Sequence, residues 1–372
     1  MCRAIELAKL GHYTTSPNPR VGCVIVKEDF IVGEGFHKKA GTGHAEVNAL
    51  AQAGAQANGA TAYVTLEPCS HYGRTPPCAA ALIKSGISHV IIAMVDPNPQ
   101  VSGKGIKLLE QAGINAKVGL LNGEAKKLNI GFIKLMTEHL PYVRLKMATS
   151  LDGKTAMASG ESKWITSALA RKDVQRLRSQ SCAIICGADS VMIDQAKMTV
   201  RHSDLGELAD SYPENELRQP VRVVIDSRYR LTPDLALFQY ESPIIIVRGV
   251  EKLEKQQHWP HFVEQVSLPL TKKSLNKSYQ TNKVDLKSLL TLLGKRGFND
   301  LLVESGANLA GAFIEQNLID EFILYQAPKL MGADAKSMLT MPSIERLDDA
   351  KTLEISETTM VGNDLRIVAK FN

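Results

Sequence analysis

The stretch Thr65–Cys78, TLEPCSHYGRTPPC, sets two cysteines with eight residues between them, each directly after a proline. Pro68 and Pro77 fix φ at their own positions and so limit how far Cys69 and Cys78 can wander, which suits two side chains sharing one ligand. Upstream, GTGHAEV (Gly41–Val47) opens a segment of helical spacing, so His44 and Glu46 fall on a first turn, where side chains project past the helix end. In mid-helix, two residues apart, they would diverge. One nitrogen and two thiolates, from His44, Cys69 and Cys78, make the ligand set that zinc prefers, and three protein ligands leave the fourth tetrahedral position open. An open position indicates catalysis. Zinc lowers the pKa of a water to ~7, and hydrolytic attack by that water then needs a proton shuttle, for which Glu46 is placed. The competing reading is a closed structural zinc site with Glu46 as fourth ligand, an unusual use of a carboxylate. Cys2, Cys23, Cys182 and Cys186 read as ordinary small apolar residues.

At 372 residues the chain is longer than one hydrophobic core comfortably supports, so two domains are expected. Six cysteines are too few for a disulfide scaffold, and MCRAIELAKLGHY shows helical periodicity without a signal-peptide apolar run. A reduced, cytoplasmic protein is expected. The longest apolar tracts, such as VIIAMV and PIIIVR, read as buried strands, far short of the ~18 to 20 residues of a membrane span. The net charge of +5 is spread without a long basic run and aromatic residues make up 5%, which disfavours nucleic acid and favours an anionic small molecule.

The first third alternates in a legible order. VGCVIVKEDFIVGEGFH predicts a hairpin across Lys27-Glu28-Asp29, and HAEVNALAQAG a helix with Val47, Leu50, Ala51 and Gly54 at helical spacing. TAYVTLEP reads as a strand, CAAALIKSG as a helix stopped by Gly86, HVIIAMV as a strand, and KGIKLLEQAG as a helix stopped by Gly113. EAKKLNIGFIKLMTEHL predicts one helix before Pro141, and the domain boundary is set near residues 139 to 142. Beyond it, YVRLKMAT, CAIICGADSV, PVRVVIDSR, PIIIVRG, NDLLVESG and EFILYQAPKL carry strand-like runs, while SALARKDVQRLRSQ and ANLAGAFIEQNL carry helical ones. The segment from Arg248 to Lys287 reads as polar and irregular, with KKSLNKSYQTNK a surface loop. NDLLVESGANLAGAF is a strand, a glycine-containing turn and a helix start that leaves backbone N–H groups free for a ligand, or else a plain connection with Gly306 for tightness. No G-x-G-x-x-G dinucleotide fingerprint is present.

HAE followed by TLEPC and a second Pro-Cys resembles the zinc nucleobase-deaminase signature, whose glutamate moves protons and does not ligate. Most of that superfamily has two residues between the cysteines. The longer insert here, SHYGRTPP, is similar to that of the bifunctional deaminase/reductase family of riboflavin biosynthesis, as are PNPRVGCVIV, GHAEVNAL, DPNPQVSGKG and LKMATSLDGKTAMASGESKWIT. The likeness spans essentially the whole chain. It implies an α/β fold in two parts: residues 1–140 as a zinc-dependent deaminase resembling the αβα sandwich of cytidine deaminases, and residues 141–372 as a dihydrofolate-reductase-like α/β domain using NADPH. In the first part the resemblance implies one Zn2+ on His44, Cys69 and Cys78, with Glu46 catalytic. Asn18 and His37 would then contact the pyrimidine or ribose and Arg74 the 5′-phosphate. An ordinary surface histidine is the alternative at His37.

In the second part it implies that Ala148, Trp164, Ser190, Asp194, Ser227 and the turn from Gly306 to Gly311 line the cofactor. Ser162, Arg178, Met198, Arg201 and Glu304 would hold the substrate, although by type alone Arg178 and Arg201 read as solvated charges and Trp164 as core. The family's D-x-P-x-L-x-x-R run reads DQAKMTVR here, from Asp194 to Arg201. Loss of the proline at Ala196 is expected to loosen that loop and weaken substrate binding. A few further leading residues, a phosphorylated pyrimidine substrate and a homo-oligomer are also expected. The alternative is a nucleic-acid or nucleoside deaminase with an accessory domain.

Overall fold

The structure, a computed structural model, describes residues 1–70, 77–249, 258–271 and 283–371. The chain divides into two compact units, Met1–Leu140 and Pro141–Asn372.

In the first unit, Glu28 and Asp29 both take positive φ, 50° and 65°, the conformation whose twist joins two strands in a tight hairpin. The elements are α1 (Cys2–Lys9), β1 (Gly22–Lys27), β2 (Phe30–Phe36), α2 (Ala45–Ala53), β3 (Thr61–Val64), α3 (Cys78–Lys84), β4 (His89–Ile92), α4 (Lys104–Gln111), β5 (Asn115–Val118), α5 (Asn122–Leu128) and α6 (Ile130–Glu138). The sheet runs β2-β1-β3-β4-β5, with β1 antiparallel to both neighbours and β3, β4 and β5 parallel. Alternation in β1 sends Cys23 and Ile25 to the α2–α3–α4 side and Val24 to α1. Leu66, Ala93 and Met94 pack with Ala125 of α5 and Phe132 of α6 on that second side, which makes an αβα sandwich.

Three readings change here. The face of α2 that meets the sheet is Ala45, Ala49 and Ala53, while Val47 and Ala51 are exposed and Leu50 is half-buried. The reason is close approach: a Cβ on Gly35 would lie 2.4 Å from the Ala45 carbonyl oxygen, and one on Gly33 2.3 Å from that of Ala49. Small residues on both elements let them touch. The helix before Pro141 is two helices, broken at Asn129, whose buried amide accepts from the Arg20 N–H at 2.8 Å and donates to the Arg20 carbonyl at 2.9 Å. β5, mostly exposed, carries no apolar run by which to read it.

The second unit comprises β6 (Tyr142–Ser150), β7 (Lys154–Ala156), α7 (Ala168–Gln180), β8 (Ala183–Gly187), α8 (Ala188–Asp194), α9 (Leu208–Ser211), β9 (Val221–Ile225), β10 (Ile244–Gly249), β11 (Val263–Leu268), α10 (Leu286–Lys295), β12 (Asp300–Glu304), α11 (Ala307–Glu315), β13 (Glu321–Ala327), β14 (Lys336–Ser337), β15 (Leu353–Val361) and β16 (Asp364–Phe371). Its nine-stranded sheet runs β11-β10-β9-β8-β12-β6-β13-β16-β15, parallel as far as β13 and closed by an antiparallel pair. α7 covers one stretch through Ala170 and Val174 against Ile323 and Tyr325, and α8 another through Val191 against Ile184 and Val224. The segment read as irregular contains β11, and its tract KKSLNKSYQTNK lies, apart from Lys283, outside the described residues. α10 and the β15–β16 hairpin had readable signals: Asp285 caps α10 by accepting from the Ser288 N–H at 3.0 Å, and Gly362-Asn363 is a hairpin turn pair.

Candidate active site

The first centre gathers at the start of two helices. His44 is the residue before α2 and Glu46 sits in its first turn, 3% exposed; Cys78 opens α3, and Cys69 follows the end of β3. Their ligand atoms all lie within 4.8 Å of one another. His44 Nδ1 is 3.2 Å from Cys78 Sγ and 3.7 Å from Cys69 Sγ. Zinc bonds of ~2.0 to 2.3 Å set tetrahedral ligand atoms ~3.5 to 3.8 Å apart, so the three atoms fit that ion in both chemistry and spacing.

The electrostatics are those of a metal pocket. Cys69 is pulled down to about 4 by the hydrogen bond from the Cys78 thiol, whose own ionisation is pushed up by that same bond. The Cys78 backbone N–H also donates to Cys69 Sγ at 3.3 Å. His44 is raised, chiefly by its bond to Cys69. Burial pushes the Glu46 carboxyl up to about 7.

His37 is 3% exposed, which corrects the surface alternative. Its Nδ1 lies 3.3 Å from the Gly43 carbonyl and its Nε2 3.1 Å from Asn18 Nδ2, so Nδ1 carries the proton and Nε2 accepts from the Asn18 amide. Burial lowers its pKa, which keeps the ring neutral. Arg74 and His71 lie outside the described residues. Glu67, which motif reading passed over, is buried and accepts four backbone N–H bonds, from Asp96, Gly103, Gly105 and Ile106, at 2.9 to 3.3 Å. It ties the DPNPQVSGKG loop to the segment that carries Cys69. A carboxylate inside TLEPC was the one available signal.

The second centre lies at the carboxyl ends of parallel strands, where open α/β sheets take ligands. Arg178 of α7 grips Glu304 at the end of β12 through two bonds of 2.6 and 2.9 Å, and its third donates to the Thr199 carbonyl at 3.0 Å. Burial alone would raise Glu304, but Arg178, joined by the Lys146 and Arg201 charges, outweighs it and holds the carboxyl below its ordinary value. Lys146 of β6 is brought beside this pair, and burial lowers its pKa. Ser162 donates to Asp194 at 3.4 Å, and Lys163 Nζ reaches the Asp194 carbonyl at 2.7 Å. Ser190 and Asp194 share α8, Ala148 is half-buried in β6, and Ser227 accepts from the Val284 N–H at 3.3 Å.

Four readings shift. Trp164 is 63% exposed, with the Arg171 guanidinium 4.4 Å above its ring. Met198 is 3% exposed among Ile184, Val224 and Leu302, so its side chain belongs to the core and only its backbone is left for a ligand. Gly306 has φ of −75° and nothing within 4 Å of where a Cβ would stand, so it is not needed for a tight turn; that open space at the start of α11 fits a cofactor cradle. Gly311 is buried inside α11, where a Cβ would lie 2.0 Å from the Thr340 carbonyl oxygen. The loop Asp194–Arg201 is also held differently from expectation. Gln195 is left-handed at φ 51°, ψ 40°, Val200 N–H donates to Gln219 at 2.8 Å, and Arg201 N–H donates to Gln175 at 3.0 Å. Side-chain amides pin the far end of the loop, at Val200 and Arg201.

Residues 1–94 match the cytidine and deoxycytidylate deaminase zinc-binding region, and residues 141–365 match the RibD C-terminal domain. The chain is 50% identical to the riboflavin biosynthesis protein RibD of Haemophilus influenzae over 99% of its own length and 95% of that protein. It is also 50% identical to RibD of Escherichia coli K12, over 98% of this chain and 96% of that one. The solved structure of Acinetobacter baumannii RibD, form 1, superposes with a TM-score of 0.89 at 43% identity, covering 100% of this chain and 97% of the other. The Thermotoga maritima diaminohydroxyphosphoribosylaminopyrimidine deaminase/5-amino-6-(5-phosphoribosylamino)uracil reductase superposes at 0.84 with 33% identity, covering 100% and 97%. With both halves matched and the ligand cluster in place, the chain belongs to the RibD family, the bifunctional zinc-dependent deaminases and NADPH-dependent reductases of riboflavin biosynthesis.

Proposed function

We propose that residues 1–140 hydrolyse the 2-amino group of 2,5-diamino-6-ribosylamino-4(3H)-pyrimidinone 5′-phosphate, and that residues 141–372 reduce the ribosyl group of the resulting uracil to ribityl. The observation that carries the first step is the triad of His44, Cys69 and Cys78 with Glu46 buried beside it. Zinc, when bound there, makes a water nucleophilic at neutral pH. Glu46 takes a proton from the attacking water and gives it to the departing amine, so that water and amidine become carbonyl and ammonia. Burial, which raises this carboxyl above its ordinary value, makes it a better proton acceptor and so suits it to both transfers. His37 fixes the Asn18 amide, leaving the Asn18 carbonyl oxygen to accept from the pyrimidine, and Arg74 supplies a fork for the 5′-phosphate.

In the second unit NADPH supplies hydride when bound. Gly306, Ala148, Trp164, Ser190, Asp194 and Ser227 are assigned to the cofactor. Ser162, Arg201, Glu304 with its partner Arg178, and the backbone at Met198 are assigned to the substrate. The protein is further proposed to be a cytoplasmic homo-oligomer; no helix among the described residues is long and apolar enough to cross a membrane. A coupled assay with the pyrimidine phosphate and NADPH tests the scheme: one ammonia and one oxidised NADPH per substrate are expected. Ammonia release without NADPH oxidation would refute the second half.

A further inference from the structure

His44 and Cys78 stand at the starts of α2 and α3, so helices fix their backbones. Cys69 has no such support, because the chain from Glu67 to Ser70 is in neither helix nor strand. On one side α3 holds it: the Ala79 N–H donates to the Cys69 carbonyl at 3.2 Å and the Cys78 N–H to Cys69 Sγ at 3.3 Å. The other side depends on the two residues before it.

Glu67 joins that side to α4. Its Oε1 accepts from the N–H groups of Gly105 at 2.9 Å and Ile106 at 3.3 Å, and its Oε2 from those of Gly103 at 3.0 Å and Asp96 at 3.1 Å. Gly103, Gly105 and Ile106 are the residue before α4 and two residues of its first turn, whose N–H groups have no partner inside the helix. Gly103, left-handed at φ 74°, has no side chain with which to cap them. A carboxylate 36 to 39 residues away in sequence does so instead, and the helix dipole favours its charge there. Pro68 makes the second contact. A Cβ on Gly105 would lie 2.0 Å from the Pro68 carbonyl oxygen, so that carbonyl rests on α4 at a distance only glycine admits. In a helix glycine is otherwise a poorer choice than alanine.

We infer that Glu67 is a positioning residue of the deaminase: by joining Glu67–Pro68 to the first turn of α4 it sets where the Cys69 thiolate stands, and so sets the affinity of this centre for zinc. The inference rests on the reading of His44, Cys69 and Cys78 as the zinc ligands. Metal–ligand distances tolerate only about 0.2 Å, so a small shift of one thiolate is felt as lost affinity.

The test uses the full-length chain, freed of metal and titrated with Zn2+ against a competing chelator, then with Co2+ as a visible probe of the thiolates. Glu67→Gln keeps the size of the side chain but puts an NH2 where one oxygen met two N–H donors. Gly105→Ala leaves the carboxylate in place and drives a methyl against the Pro68 carbonyl. Val90→Ala, at a fully buried position of β4, is the control for simple loss of packing. Zinc affinity should fall by about 10- to 100-fold in each of the first two variants, the range for partners that orient a metal ligand, and stay within about threefold in the control. At full Co2+ occupancy the thiolate charge-transfer band should shift or weaken in the same two variants and stay unchanged in Val90→Ala. NADPH oxidation with the deaminated substrate should remain within about twofold in all three, since the second unit has its own core. Zinc affinity within about threefold of the parent in either of the first two variants, or an equal loss in Val90→Ala, overturns the inference. If Glu67→Gln is recovered unfolded, Gly105→Ala alone decides. Failure of the ligand reading would appear separately, as a parent whose Co2+ form shows no thiolate band.

Discussion

Two side chains separate metal binding from catalysis in the first centre. Cys78→Ser removes one thiolate and disturbs the bond network that holds Cys69 ionised. Zinc per chain should fall from one to well below half by metal analysis, with NADPH oxidation retained. Glu46→Gln keeps the shape of a buried group but cannot carry a proton, so zinc should stay bound while ammonia release drops by about 10² to 10⁴. In the second centre, the Arg178–Glu304 pair is largely shielded, its side chains 14% and 13% exposed, and Glu304→Gln leaves the arginine without its counter-charge at a cost of about 3 kcal/mol or somewhat less. The folded pKa of Glu304 lies below its unfolded value of ~4.3, so the pair's contribution is complete above that pH and is lost as pH falls through the lowered value. Denaturation of parent and variant should differ most at neutral pH and converge in acid. A gap that persists unchanged at pH 3 would contradict the assignment.

At the scale of elements, pattern reading works where side chains carry the packing and fails where backbones do. α3 and α4 end as expected at Gly86 and Gly113, with φ of 72° and 81°. α2 does not present its large apolar residues to the sheet, because Gly33 and Gly35 of β2 admit the alanine face more closely than any leucine face could approach. The break at Asn129 has a similar origin: its partner Arg20 is 109 residues away in sequence, beyond any local pattern. The Asp194–Arg201 loop shows the same in reverse. A missing proline suggested slackness, but Gln195 is left-handed, and a residue before proline is pushed out of that region toward extended backbone. Ala196→Pro should therefore destabilise this unit by more than about 1 kcal/mol and raise the KM of the pyrimidine. Denaturant melts and NADPH-oxidation kinetics check both; a lowered KM at unchanged kcat would restore the slack-loop view.

For the whole molecule, each unit has its own sheet and its own apolar clusters. Residues from about 142 to 372, expressed alone, should fold and oxidise NADPH when given the deaminated ribosylaminouracil phosphate. A folded circular-dichroism spectrum with no activity at saturating substrate would mean that this site needs the first unit to be complete. The sequence by itself determined which histidine and cysteines the fold gathers, the carboxylate buried with them and the alternation of strands and helices, because ligand chemistry restricts residue type and spacing, and burial imposes period on local runs. Tertiary structure alone decided that Glu67 clamps a loop from inside TLEPC, that Met198 turns into the core, that Trp164 turns out of it, and that Arg178 is paired with Glu304. Each of these depends on which distant groups meet a side chain, and a residue's type states what it can bond to without stating what has reached it.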